Sequence, residues 1–188
     1  MKRERASRYI IGFVDYLLRR YSSASSVVLD VGCGRGQYAQ SIIGHYIGLD
    51  ITSEPYDQHS TRRVDLLASA NSIPIKDGSI DLVFTVGSFY QLPKYKEALH
   101  EFHRILRPGG RVILFDYNRR TQQSLVVREG MQRPCWTQVE LRNLLTSQGF
   151  NQATLHLPLR FYIPSWITRL FIPLQERYGL WAVATGVK

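Results

Sequence analysis

The sequence has few of the residues that build disulfide or metal frameworks. Only two cysteines, Cys33 and Cys135, occur in 188 residues, and neither stands in a spacing typical of metal ligands. We therefore predict no disulfide framework and no metal site, and we expect a reducing cytoplasm. No apolar run approaches the ~20 residues that span a bilayer. Charged residues interrupt the basic amino-terminal segment, which argues against a signal peptide.

Acidic residues are scarce: 15 oppose 24 lysines and arginines, which gives a net charge of +9 and an isoelectric point near 9.8. The excess is uneven, with +4 over residues 1–20, −1 over 21–118 and +6 over 119–188. Basic flanks suit an anionic substrate, RNA or an acidic membrane surface. A solubilising surface explains most individual arginines equally well. RNA and peripheral membrane contact therefore stay open as partners.

The length and the 44% share of hydrophobic residues are typical of one globular domain. We predict a single domain over 1–188, with an amphipathic helix and linker over 1–24, a cofactor-binding core over 25–120 and a substrate-side part over 121–188. Alternating strand and helix patterns predict a doubly wound α/β fold with a mainly parallel sheet. The predicted strands are 27–31, 46–50, 63–67, 80–86, 111–116, 152–157 and 180–185. The predicted helices are 8–20, 36–43, 94–106 and 137–148.

A glycine-rich turn follows the first predicted strand directly, at residues 32–36. This layout is typical of a nucleotide pocket at the carboxyl end of a strand in an open sheet. Asp30, two residues before the first glycine, would repel a pyrophosphate and attract a cation. The turn therefore predicts a nucleoside cofactor without phosphates and with a cationic tail, as in S-adenosylmethionine. Asp50 ends the second strand, where an acid can accept hydrogen bonds from ribose hydroxyls.

Three segments together resemble the class I S-adenosylmethionine-dependent methyltransferases of the type 11 family. They are residues 29–36, residues 69–83 and residues 98–112, and the resemblance extends over about 25–120. It implies a Rossmann-like doubly wound fold: a mainly parallel seven-stranded sheet with an antiparallel last strand and helices on both faces. It also implies S-adenosylmethionine as the cofactor and a methyl transfer as the activity.

The same resemblance implies a set of cofactor-binding residues. They are Asp30, Gly32, Cys33, Gly34, Arg35, Gly36, Asp50, Ile51, Ser69, Ala70 and Val86. Asp30 is expected to meet the cofactor's ammonium and Arg35 its carboxylate, and the Ala70 N–H is expected to meet adenine N1. The family usually has an aspartate at the position of Ser69. A serine oxygen accepts more weakly from the adenine amino group, and the nearby Asp65 could compensate.

The catalytic residues stay unassigned, because relatives often carry a histidine pair after strand four and this chain does not. Positioning can supply most of the acceleration of a methyl transfer. The weak candidates for a catalytic role are Tyr90 and Asp116, and a structural role is the more common alternative for such residues.

The aromatic and apolar segment 157–179 is expected to decide the acceptor, as a substrate wall, a dimer patch or a membrane contact. A helix packed over the sheet edge is the alternative. We predict methyl transfer to a small-molecule or lipid-linked acceptor by a monomer or homodimer. An RNA methyltransferase and a non-catalytic cofactor-binding module are the competing hypotheses.

Overall fold

A computed structural model describes residues 2–54, 64–119, 135–155 and 181–188 of the chain. The strands are β1 Val27–Val31, β2 His45–Asp50, β3 Leu66–Leu67, β4 Ile80–Val86, β5 Leu106–Tyr117, β6 Asn151–Leu155 and β7 Trp181–Val187. The α-helices are α1 Lys2–Tyr21, α2 Tyr95–Ile105 and α3 Gln138–Ser147. Residues 55–63, 120–134 and 156–180 lie outside the described residues, and they include the aromatic and apolar segment 157–179.

The strands form one sheet in the order β3-β2-β1-β4-β5-β7-β6. Strand β7 runs antiparallel to both β5 and β6, and the other neighbouring pairs are parallel. The chain order reverses direction across the sheet at β1 and β4, which is where open α/β sheets bind their ligands. The predicted fold class is confirmed.

Helices cover both faces of the sheet. Helix α1 packs Phe13 and Leu17 against a cluster that includes Phe84 of β4, while α2 and α3 pack on the opposite face around Val83. Because β4 is buried on both faces, its sequence is continuously apolar apart from Asp81 and Thr85. None of the described helices is long and apolar enough to span a bilayer.

The helix predicted over 36–43 is wrong: the connection holds only a 3-10 turn at Ala39–Ser41. Strand β1 is five residues long, which corresponds to about 16 Å. The glycine turn uses residues 32–36, and eight residues of α-helix would return the chain only about 12 Å. A path in which only three residues form a 3-10 turn covers the distance, because the extended residues that follow the turn rise about 3.3 Å each.

Near the carboxyl terminus the predicted helix start is confirmed in detail. Thr137 and Glu140 form a capping box, in which the Thr137 Oγ1 accepts from the Glu140 N–H and a Glu140 carboxylate oxygen accepts from the Thr137 N–H. The helix ends before Gly149, whose φ of +87° suits glycine.

Candidate functional site

The glycine turn after β1 is bound to both neighbouring strands. The Gly32 and Cys33 N–H groups donate to the Leu49 carbonyl oxygen at 2.8 and 3.1 Å, and the Ser88 hydroxyl donates to the Val31 carbonyl at 2.8 Å. Gly32 has a φ of +74°, and a Cβ there would lie 2.5 Å from the Ser88 Cβ. Only glycine fits this contact, so the turn forms a tight bridge between β2 and the segment after β4.

Asp50, at the end of β2, is bound by main-chain donors. Its Oδ2 accepts from the Gly34 N–H at 3.0 Å, and its Oδ1 accepts from the Ile51 and Thr52 N–H groups at 2.8 and 3.4 Å. The side chain is 7% exposed and lines the cavity described below. The glycine turn and the strand end thus position one carboxylate at the wall of a pocket.

Asp30, at the end of β1, is in a different environment. It is 2% exposed, and its Oδ2 accepts from the Tyr46 hydroxyl at 2.9 Å. Burial raises the pKa of Asp30 to about 7, with a smaller contribution from the Asp50 charge and against the effect of the hydrogen bond from Tyr46. Among the described residues Asp30 receives no other hydrogen bond. A cation at this point would compensate the buried carboxylate.

A cavity of about 440 Å³ opens beside these strand ends. Its walls come from the ends of β1 and β2, from residues 68–71 and from six residues between 88 and 97. Five predicted cofactor residues line it: Gly32, Asp50, Ile51, Ser69 and Ala70. Leu49, Leu92 and Pro93 supply apolar surface around these groups. This volume and mixture are typical of a cofactor pocket.

The other predicted cofactor residues do not line this cavity. They are Asp30, Cys33, Gly34, Arg35, Gly36 and Val86. The Gly34 N–H donates to the Asp50 carboxylate. Cys33 lies in the turn and Asp30 lies beneath it, and both side chains are buried. Arg35 is exposed, and Val86 packs at the end of β4 against the cluster under α1.

The loop at residues 68–71 presents polar groups to the cavity. The Ser69 Oγ accepts from the Asn71 N–H at 3.3 Å, and the Ala70 N–H donates to no acceptor in the described part of the chain. Asp65 does not join them: its Oδ2 accepts from the Gly48 N–H at 2.8 Å, outside the cavity wall. The compensating role predicted for Asp65 is therefore not seen.

Glu101 and Arg104 of α2, to which the sequence assigned no role, hold the segment that follows this loop, at Ile73 and Ile75. Arg104 donates to the carbonyl oxygens of Ile73 and Ile75 at 2.8 and 2.9 Å, and Glu101 accepts from the Ile73 N–H at 2.8 Å. The two side chains also pair with each other, which lowers the pKa of Glu101. The sequence signal for this ion pair was the spacing of three residues between Glu101 and Arg104 on a predicted helix.

The two weak catalytic candidates lie next to each other but not at the cavity wall. Asp116 is fully buried, and its oxygens accept from the Tyr90 and Tyr117 N–H groups at 2.6 and 2.7 Å. Burial raises its pKa to about 7, against the effect of both bonds. The Tyr90 ring meets the Tyr117 ring edge-on at 5.4 Å. Asp116 therefore joins the turn after β4 to the end of β5, and a catalytic role for it or for Tyr90 stays a prediction.

The pocket fits S-adenosylmethionine by three observations. Asp50 lines it as an acceptor for ribose hydroxyls, the Ala70 N–H is available to adenine, and Asp30 is a buried carboxylate with a single donor. No group of three histidine, cysteine or acidic side chains that could hold a metal occurs within the described residues.

This fold and this site define a class I S-adenosylmethionine-dependent methyltransferase domain. Residues 29–114 match a family model described as a methyltransferase domain. That part of the chain belongs to the type 11 methyltransferase family.

Known proteins are similar over parts of the chain. A malonyl-[acyl-carrier protein] O-methyltransferase of Yersinia pestis is 37% identical over 95 residues, which are 47% of this chain and 35% of that protein. The human mitochondrial arginine-hydroxylase NDUFAF5 is 31% identical over 148 residues, 69% of this chain and 43% of its own length. The chain thus spans less than half of either relative.

A solved structure of a SAM-dependent methyltransferase from Thermotoga maritima superposes with a TM-score of 0.65. It is 19% identical, and the superposition covers all of this chain and 96% of the other. This likeness supports the fold.

Proposed function

We propose that the protein transfers a methyl group from S-adenosylmethionine to a small-molecule or lipid-linked acceptor. The observation that carries the proposal is the arrangement of two acids around one glycine turn, with Asp50 lining a cavity of about 440 Å³ and Asp30 buried behind it. The family match over residues 29–114 supports the same activity.

The cofactor, when bound, supplies a methyl group on an activated sulfonium. The chain's own residues bind and orient: Asp50 accepts from the ribose hydroxyls, and Ser69 and the Ala70 N–H meet the adenine edge. The Asp30 carboxylate attracts the cationic end of the cofactor. Positioning of this kind can supply most of the rate acceleration of an in-line displacement, so the chain needs no strong base for an acceptor that has no proton to lose.

The acceptor class is proposed from the aromatic side chains at the carboxyl end of β5. The rings of Tyr90, Tyr117 and Trp181 meet at the carboxyl end of β5, where the Tyr117 and Trp181 centroids are 4.3 Å apart. The sequence of residues 157–179, which precedes Trp181, is rich in aromatic and apolar residues. Apolar surface of this kind favours an organic or lipid-linked acceptor. As a separate point, we propose that the reaction takes place in the cytoplasm.

RNA methylation is the second candidate, because the net charge is +9 and the basic residues are concentrated in the flanks. It predicts RNA binding that weakens steeply with salt, since phosphate contacts release counterions. RNA binding that is absent, or that is insensitive to salt, would rule this candidate out.

The test separates cofactor binding from methyl transfer, because one relative of this chain is named as a hydroxylase rather than a methyltransferase. Calorimetric titration is expected to show binding of S-adenosylmethionine and S-adenosylhomocysteine and none of NAD, whose pyrophosphate Asp30 would repel. Absence of cofactor binding at millimolar ligand overturns the proposal. Cofactor binding with no methyl transfer to a panel of metabolites, lipids and RNA would instead support a non-catalytic module.

A further inference from the structure

Tyr46 of β2 and Asp30 of β1 form a buried pair that neither the family resemblance nor the proposed function assigns. In the parallel register Val28 lies opposite Tyr46 and Asp30 lies opposite Gly48, so the two side chains share one face of the sheet. Tyr46 is 8% exposed and Asp30 is 2% exposed. Tyr46 and Asp30 are diagonal neighbours on adjacent strands, and the Tyr46 hydroxyl donates to the Asp30 Oδ2 at 2.9 Å.

The groups around Asp30 explain why this one donor matters. Within the described part of the chain, the titratable side chains that act on the carboxylate are Tyr46 and Asp50 of β2 and Tyr38, which precedes the 3-10 turn. None of these three is a cation. Tyr38 lies within electrostatic range, but its hydroxyl bonds to Gln37. Without Tyr46, the buried carboxylate would have no hydrogen-bond donor among the described residues and would retain its proton more strongly.

We propose that Tyr46 is a positioning residue for the cofactor's ammonium group. Its hydroxyl fixes the orientation of the Asp30 carboxyl group by donating to Oδ2, which leaves Oδ1 to accept from the ammonium. This inference rests on the proposed function, since it assumes that S-adenosylmethionine occupies the pocket. It extends that function by assigning cofactor affinity to a side chain of β2 outside the glycine turn.

The test compares Tyr46→Phe with the wild type using two ligands. S-adenosylhomocysteine carries the ammonium, and 5′-methylthioadenosine has the same thioadenosine without the amino-acid group, so it lacks both the ammonium and the carboxylate. Loss of a hydrogen bond to a charged group is expected to weaken S-adenosylhomocysteine binding about tenfold or more. The affinity for methylthioadenosine is expected to stay within about twofold, which also shows that the variant is folded.

Tyr38→Phe is the matched control, because it removes a buried tyrosine hydroxyl near Asp30 that makes no hydrogen bond to it. Its ring packs edge-on against Phe84 at a centroid distance of 6.1 Å, and the variant keeps that contact. It is expected to bind both ligands like the wild type.

Two further readouts separate positioning from simple packing. The loss in Tyr46→Phe is expected to be larger at pH 6.5 than at pH 9, because without the hydroxyl a proton on Asp30 must be displaced by the ligand. In an Asp30→Asn background, Tyr46→Phe is expected to have no further effect on S-adenosylhomocysteine binding. Equal losses for both ligands, or no loss for either, would overturn the role of Tyr46. Absence of cofactor binding by the wild type would overturn the proposed function itself.

Discussion

The carboxyl ends of β1 and β2 carry the same residue type in opposite environments. Asp50 accepts three main-chain N–H groups and lines the cavity. Asp30, on the adjacent strand, accepts one tyrosine hydroxyl, is buried behind the turn and has a pKa raised to about 7. The backbone itself holds the Asp50 side chain in place. The charge of Asp30 depends on one side chain and, we propose, on the ligand.

The difference follows from where each strand ends. Asp50 is the last residue of β2, and the N–H groups of Ile51 and Thr52 turn back toward its own side chain. Asp30 is followed by Val31, still in β1, so its side chain stays on the sheet face under α1. Asp50 is the last residue of its strand and Asp30 is the last but one of its strand. This difference of one position leaves Asp50 with main-chain donors and Asp30 mostly desolvated.

The largest expected effect comes from removing the better-solvated acid. Asp50→Ala leaves three N–H groups without their acceptor and removes the ribose contact, so we expect S-adenosylhomocysteine and methylthioadenosine to bind roughly 100-fold more weakly, with a lower melting temperature. Calorimetry measures the ligand affinities, and thermal unfolding measures the melting temperature. Asp50→Asn keeps an oxygen acceptor and is expected to lose less. Unchanged binding of methylthioadenosine by Asp50→Ala would contradict the ribose role.

The second prediction concerns stability and pH at Asp30. Its pKa is near 7 in the folded chain and near 4 when unfolded, so the stability it contributes is largest below about pH 4 and is lost as the pH rises to 7. Asn does not titrate. Relative to the wild type, Asp30→Asn is therefore expected to gain roughly 2–4 kcal/mol in free energy of unfolding between pH 4 and pH 8.

Denaturant unfolding at several pH values measures this difference. Asp116, whose pKa is also raised to about 7, is present in both proteins, so its own contribution cancels. A difference between the two proteins that does not change with pH would show that Asp30 is ionised in the folded chain even without ligand.

The smallest expected effect is at the adenine end. Ser69→Asp supplies a charged acceptor at a position that lines the cavity, and we expect methylthioadenosine to bind about threefold to tenfold more tightly. Ser72→Asp is the matched control, since it adds the same charge to the same loop at an exposed position outside the cavity wall. Equal gains in the two variants would indicate a general electrostatic effect rather than a hydrogen bond to adenine.

Much of the fold could be predicted because its signals are local. The continuous apolar run of β4 and the capping box of Thr137 and Glu140 each depend on residues within a few positions of one another. The helix over 36–43 could not be judged in the same way. Its absence follows from the length of chain between two paired strands, which is a property of the whole β1–β2 unit.

The candidate site also has features that adjacent residues predict and features that depend on the whole fold. The electrostatic argument for Asp30 and the strand-end position of Asp50 could be made from a few adjacent residues. The roles of Tyr46, Glu101 and Arg104 could not, because they depend on the register of β2 against β1 and on the hydrogen bonds between α2 and residues 73–75.

The missing helix has a consequence for how the pocket responds to salt. A helix that began at the glycine turn would direct its partial positive charge toward the cofactor's carboxylate. Residues 32–44 contain no α-helix, and the Gly32, Cys33 and Gly34 N–H groups already donate within the protein, so the expected partner of that carboxylate is Arg35, which is exposed. At 0.1 M ionic strength such an exposed charge is screened over about 10 Å. The two ends of one amino-acid moiety would then differ in salt sensitivity, with the carboxylate end weakened by salt and the ammonium end, buried at Asp30, largely unaffected.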